Sequence, residues 1–300
     1  MNATASTQEA AVSTIDRVGV IGCGLMGSGI AEVCARAGLD VVVAEYDADA
    51  AERGLRRLTG SLDTAVRRGK LDEASRDTTL ARVGFCTDLD ELGDRQLVIE
   101  AVNEDESTKV DTFRKLDKVF TDAGDDVILA SNTSSIPIMK LAMATSRPEQ
   151  VIGLHFFNPV PVLPLLEVVT SLLTSERTTA TSTAFAAEVL NKRVINSQDR
   201  AGFIVNALLI PYLLSAIRMM ESGFASAEDI DTGMVEGCAH PMGPLALTDL
   251  IGLDTTMAVA ESLYEEFKEP LYAPPPLLSR MVEAGLLGRK AGRGFYEYAS

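Results

Sequence analysis

The chain has 300 residues, 46% of them hydrophobic and 23% charged. At about 150 residues per domain this length implies two domains, and the balance excludes disordered, collagenous and coiled-coil classes. Asp and Glu number 43 against 27 Lys and Arg, a net charge of −16; so acidic a surface argues against nucleic acid and against anionic membranes, and any phosphate ligand needs a local basic spot.

Residues 1–14, MNATASTQEAAVST, have neither a basic nor an apolar stretch and read as a disordered leader, not a secretory signal. Strands are predicted at Arg17–Ile21, Asp40–Ala44, Gln96–Val102, Val127–Ser131, Val151–His155, Leu165–Thr170 and Arg193–Asn196. They alternate with helical patterns, which gives an α/β, Rossmann-like, mostly parallel sheet over 15–200. Between the second and third strands, 48–83 reads as a helical hairpin around Gly69. One stripe carries Leu55, Leu58, Leu62, Ala65 and Val66; the other face carries Arg53, Arg56, Arg57, Arg67 and Arg68. From Ala201 the strands stop, and 201–300 reads as an all-α domain with helices at 203–221, 226–238, 244–267 and 275–285. The first is apolar nearly all round, which means burial, and is too short and too broken for a membrane span. Ser226 to Asp229 resembles a capping box with Asp in place of Glu. Cys23, Cys34, Cys86 and Cys238 lack CxxC spacing and suit a reducing cytoplasm; with two His residues they make no zinc site.

The first strand runs into Gly22-Cys23-Gly24-Leu25-Met26-Gly27 and then a helix, the context that gives a GxGxxG pattern meaning. Gly22 permits the turn, Gly24 admits a pyrophosphate, and Gly27 lets helix and strand pack closely. Glu45 follows the second strand, 23 residues past Gly22, where an acid binds the adenosine ribose. Tyr46 and Asp47 follow, with no arginine to neutralise a 2′-phosphate, so NAD is expected over NADP. Three later strand ends carry polar groups: Ser131 to Ser135, His155 to Pro159, and Glu167 inside an apolar run. A buried carboxylate wants a partner, and His155 is the available imidazole. Imidazole ordinarily titrates near ~6.5, and a carboxylate stabilises its cation, so the pair suits alcohol oxidation. Asn206, in an apolar helix, is a third candidate: a buried amide needs partners, which a ligand lying between the domains could supply. His240, in a turn-like stretch, is read as structural.

The segments GVIGCGLMGSGIA, ASNTSS, GLHFFNPVPV, GFIVNALLIPY, HPMGPLALTDLIGLDT and GRKAGRGFYEY occur in that order. In them the chain resembles the short-chain L-3-hydroxyacyl-CoA dehydrogenases, most closely the bacterial 3-hydroxybutyryl-CoA branch. The resemblance implies His155 as catalytic base with Glu167 as its partner. Ser134 and Asn206 would hold the substrate oxygens. NAD contacts would fall on Gly22, Gly24, Leu25, Met26, Gly27, Glu45, Glu104, Lys109, Asn158 and Lys290. CoA contacts would fall on Ser61, Arg68, Lys109 and Ser134, with Arg68 standing where the family often has Lys. It also implies an acyl-CoA substrate, with 3-hydroxybutyryl-CoA preferred, and a homodimer through the C-terminal domain. Two competing readings remain: an NAD-dependent dehydrogenase of a free hydroxy acid or sugar acid, and a catalytically silent dinucleotide-binding protein.

Overall fold

The computed structural model describes residues 14–121 and 126–298, so the expected leader lies, apart from Thr14, outside the described residues. The chain divides into two compact units. Of the described residues, one holds those up to Thr133 together with Pro137–Asp199; the other holds Ser134–Ile136 together with those from Arg200 onward. The short excursion at Ser134–Ile136 is a feature that the continuous span 15–200 did not anticipate. Within the second unit, Ser262 Oγ donates to the Ser135 carbonyl (2.9 Å).

The first unit is built on eight strands: β1 (Arg17–Ile21), β2 (Asp40–Ala44), β3 (Val83–Cys86), β4 (Leu97–Glu100), β5 (Ile128–Ser131), β6 (Val151–Phe156), β7 (Leu165–Thr170) and β8 (Arg193–Gln198). They lie in the order β3-β2-β1-β4-β5-β6-β7-β8. The first six run parallel; β7 is antiparallel to β6, and β8 follows β7 in parallel. Helices α1 (Leu25–Arg36), α2 (Ala48–Arg67), α3 (Glu73–Leu80), α4 (Glu106–Thr121), α5 (Ile138–Ala142) and α6 (Glu176–Ala184) connect them. Central strands of such a sheet are covered on both faces, hence unbroken apolar runs such as Val18 to Ile21 and Leu97 to Ile99. The strand missed in the sequence is β3. It is four residues long, contains Gly84 and buries only Cys86, so it carries almost no strand signal.

The hairpin is α2 and α3. The buried stripe of α2 is Ala50, Gly54, Leu58 and Leu62. Leu55, expected on that stripe, is exposed, because strict four-residue spacing from Ala50 carries the face past it. Asp47 caps α2 by accepting from the Ala50 N–H (2.7 Å).

The second unit contains α7 (Val205–Glu221), α8 (Ala227–Cys238), α9 (Pro244–Ile251), α10 (Leu253–Phe267) and α11 (Pro276–Glu283). The single helix expected over 244–267 is two helices, broken where Gly252 takes φ +104°. Ser226 caps α8 by accepting from the Asp229 N–H (3.1 Å); its hydroxyl donates to Asp229 Oδ2 (2.7 Å), so the expected box closes between side chains. The core packs Leu213, Leu214 and Ile217 of α7 against Leu245, Leu263 and Leu278. Two carboxylates pin the C-terminal segment to it. Asp249 accepts from the N–H groups of Phe295 and Tyr296 and from the Tyr298 hydroxyl, each at 2.9 Å. Asp231 accepts from Leu245 N–H (2.8 Å), Ala246 N–H (2.9 Å) and the Tyr296 hydroxyl (2.9 Å). Burial and Asp231 push the Tyr296 phenol up, which keeps it a donor.

Candidate active site

The strand order reverses between β1 and β4, and the glycine turn sits at the carboxyl end of β1, where open α/β sheets bind ligands. Gly22 has φ +85°, and a Cβ there would stand 3.0 Å from the Ala101 carbonyl oxygen. A Cβ on Gly27 would fall 1.8 Å from the Gly22 carbonyl oxygen, so no side chain fits between turn and helix. At Gly24 nothing lies within 4 Å of that position: the backbone is open to a ligand. Gly24 caps α1 without a side-chain hydrogen bond, and the first turn, Leu25, Met26 and Gly27, holds no acidic residue. The N–H groups and positive end of α1 therefore lack a side-chain anion, which is what a dinucleotide pyrophosphate would supply. Burial pushes the Cys23 thiol up to about 12, so the turn adds no thiolate charge to repel it. The half-buried Glu45 lies against the turn, its Oε1 accepting from the Cys23 N–H. The residues present fit NAD.

Two cations join this corner. Arg57 Nη1 donates to the Cys23 carbonyl (2.7 Å), and Arg53 Nη2 donates to the Tyr46 hydroxyl (2.7 Å). The sequence offers no arginine directly after Glu45; α2 brings these two back from the next turns.

On the other side of the sheet, β6 and β7 pair with His155 directly opposite Glu167. Glu167 is fully buried, His155 is 6% exposed, and Nδ1 lies 2.6 Å from Glu167 Oε2. The two residues singled out for complementary chemistry thus stand side by side, locked by strand register. The loop after β6 turns through a cis peptide at Asn158-Pro159, with Asn158 exposed. Lys192 holds this loop by donating to the carbonyls of Val160 (2.6 Å) and Leu163 (2.7 Å). Asn132, at the end of β5, accepts from the Phe156 N–H (2.9 Å) and ties that end to β6.

A second buried network lies at the ends of β4 and β5. Glu100 is fully buried and accepts from Lys109 Nζ (2.6 Å), Ser131 Oγ (2.6 Å) and Val102 N–H (2.7 Å). Lys109 also reaches Glu104 (3.3 Å), whose other oxygen accepts from Thr133 Oγ1. Lys109 is only 1% exposed. Its ammonium is enclosed between the carboxylates of Glu100 and Glu104. Glu100 and Ser131 were not among the candidates, although Glu100 gives the same signal as Glu167: a carboxylate inside an apolar strand.

The other candidates are dispersed. Ser61 is exposed on α2 and Arg68 is exposed at its C-cap, seven positions and so about two turns further on. Ser134 and Asn206 are both half-buried and belong to the second unit; Asn206 stands in the first turn of α7. Lys290, also of that unit, makes a two-pronged ion pair with Asp254 at 2.6 Å. His240 pairs through Nδ1 with the Tyr212 hydroxyl (3.1 Å). Among the described residues no group of three or more His, Cys, Asp or Glu could hold a metal ion, and no helix is long and apolar enough to cross a membrane.

Two family models match nearly the whole of this frame: the 3-hydroxyacyl-CoA dehydrogenase NAD binding domain over residues 17–200, and the C-terminal domain of the same enzymes over 202–298. A 3-hydroxybutyryl-CoA dehydrogenase of Mycobacterium tuberculosis is 60% identical over 284 residues, covering 95% of this chain and 99% of that one. The crystal structure of M. tuberculosis FadB2 superposes with a TM-score of 0.94 at 59% identity, covering 96% of this chain and all of the other. That of (S)-3-hydroxybutyryl-CoA dehydrogenase PaaH1 from Ralstonia eutropha does so with 0.89 at 46% identity, over 96% and 100%. With both of its units matched by models of one enzyme family and a relative this similar along its length, the chain belongs to the 3-hydroxyacyl-CoA dehydrogenases.

Proposed function

We propose that this protein interconverts (S)-3-hydroxyacyl-CoA and 3-ketoacyl-CoA, with 3-hydroxybutyryl-CoA preferred, and that His155 and Glu167 do the proton work. The observation that carries the reading is the buried 2.6 Å bond between His155 Nδ1 and Glu167 Oε2. A carboxylate there accepts the Nδ1 proton, selects that tautomer and leaves the basic lone pair on Nε2. Nε2 takes the substrate hydroxyl proton as hydride leaves C3; Glu167 stabilises the imidazolium that results. In the reverse direction the imidazolium protonates the forming alkoxide. NAD, when bound, supplies the hydride acceptor. The open turn from Gly22 to Gly27 holds its pyrophosphate and Glu45 its adenosine ribose, with Glu104, Asn158 and Lys290 as further contacts. Ser134 and Asn206 orient the substrate oxygens. Nicotinamide absorbance with acetoacetyl-CoA, longer 3-ketoacyl-CoAs and free acetoacetate tests this. Fastest turnover of acetoacetyl-CoA is expected; equal turnover of free acetoacetate would favour the free-acid reading.

Ser61 and Arg68 bind the 3′-phospho-ADP end of CoA. Arg68 closes α2, where a cation is well placed against the negative end of the helix, and Arg67 precedes it. Arg68→Ala should raise KM for acetoacetyl-CoA by about tenfold, in the range of a lost charge-assisted contact. Its effect on a pantetheine analogue lacking the nucleotide should be small, and equal effects on both substrates would remove the assignment.

The protein acts as a cytoplasmic homodimer joined through its helical unit. In support, Leu208 is 73% exposed, and Ile204 and Met219 on the same face of α7 are exposed as well. The apolar helix expected to be buried all round therefore keeps one bare face in a single chain, and a twofold contact covers such a face most simply. Light scattering after size exclusion should give twice the 32.0 kDa chain mass; an active monomer at low concentration would exclude it.

A further inference from the structure

We propose that Arg53 and Arg57, with Tyr46, form a subsite for a ribose 2′-phosphate that the carboxylate of Glu45 keeps closed, so that removing this one charge opens the protein to NADP. The inference rests on the reading of Glu45 as the acid at the adenosine ribose. Both arginines lie on one face of α2, four residues apart, and long side chains on a helix lean toward its N-terminus. That direction leads to the end of β2. Arg57 reaches the carbonyl of Cys23, the residue whose N–H is held by Glu45. Arg53 reaches the hydroxyl of Tyr46, the residue after Glu45.

Neither guanidinium forms an ion pair with a carboxylate among the described residues, whereas Arg56 on the next face is paired with Glu52 (2.7 Å). In a chain of net charge −16, two unpaired cations beside one nucleotide corner are unusual. A guanidinium has five N–H donors, and one of them on each arginine is engaged in these 2.7 Å bonds. Tyr46 is 76% exposed, so the corner is accessible to solvent. The nearby acids are Glu45, Asp47 and Asp49. Asp47 is occupied with the Ala50 N–H, and Asp49 sits in the first turn of α2. Glu45 alone lies against the turn itself, where a 2′-phosphate would meet it.

Calorimetric titration of 2′,5′-ADP and of NADH into the full-length protein tests this without relying on turnover. Glu45→Gln should bind 2′,5′-ADP about tenfold or more tightly than the parent, with binding that weakens steeply as salt rises. Adding Arg53→Gln and Arg57→Gln should abolish the gain. Circular dichroism and an NADH affinity close to that of Glu45→Gln show that the turn is intact in the triple variant. Equal binding of 2′,5′-ADP by the single and the triple variant would overturn the subsite. The ribose role of Glu45 is judged separately: an unchanged NADH affinity in Glu45→Gln would remove that role, whatever the arginines do.

Discussion

His155→Gln is expected to lower kcat by ~10²–10⁴-fold, the range for loss of a general base, with a small change in KM for the acyl-CoA. Gln approximates the reach of imidazole but has no basic nitrogen. Glu167→Gln should lose nearly as much. Its amide oxygen can still accept from Nδ1, so the tautomer and ring position survive; what disappears is the negative charge that stabilises the imidazolium. That charge acts at 2.6 Å with the carboxylate fully buried, where water screens little. The double variant should be only slightly worse than His155→Gln, because residues acting as one unit are far from additive. Steady-state kinetics with acetoacetyl-CoA and NADH across the four proteins measure the coupling. Losses that multiply would mean that Glu167 serves the fold of β7 and leaves the chemistry to His155 alone.

The pairing of these two residues could be read from the sequence because each broke a strong pattern. A lone imidazole closed one strand and a carboxylate interrupted another. Register then added what no sequence pattern states: β7 runs antiparallel to β6, which puts the two opposite each other. The dinucleotide turn was legible for a similar reason, since three glycines at fixed spacing leave few backbone alternatives. Glu100 carried the same signal as Glu167 but had no histidine to make it conspicuous; its partner Lys109 lies nine residues on, across the turn into α4. Arg53 and Arg57 were read as a basic helix face, because helical spacing shows which residues share a face but not which loop that face meets. Asp231 and Asp249 were passed over inside helical patterns, where acids normally face water. Their role depends on a segment that returns from 46–65 residues away to be held by them. Such long-range side-chain to backbone contacts leave no local periodicity. Gly252 was visible, but a glycine inside an apolar pattern does not by itself announce φ +104° and the break between α9 and α10.

Lys109→Met should destabilise the first unit by ~3–5 kcal/mol, the typical result of removing one partner of a buried ion pair. Lys109 and Glu100 are 1% and 0% exposed at their side chains, and their bond is 2.6 Å. Met fills the volume of the lysine stem but leaves Glu100 charged, with only Ser131 Oγ and the Val102 N–H to hold it. The carboxylate must then be protonated or draw in water, and both cost stability. In a domain of this size the loss corresponds to a fall in melting temperature on the order of 10 °C, which thermal denaturation without NAD detects. The double variant Lys109→Met/Glu100→Gln should recover much of the loss, since the amide oxygen can accept from the Val102 N–H while its NH2 donates to Ser131 Oγ, with no buried charge left. The experiment also separates two roles for the lysine. A residue that chiefly contacts the cofactor would leave the cofactor-free melting temperature unchanged and raise KM for NADH. A residue that fixes the end of β4 lowers the melting temperature first, and it weakens NADH only because Glu104 and Thr133, joined to it through the same network, lose their anchor.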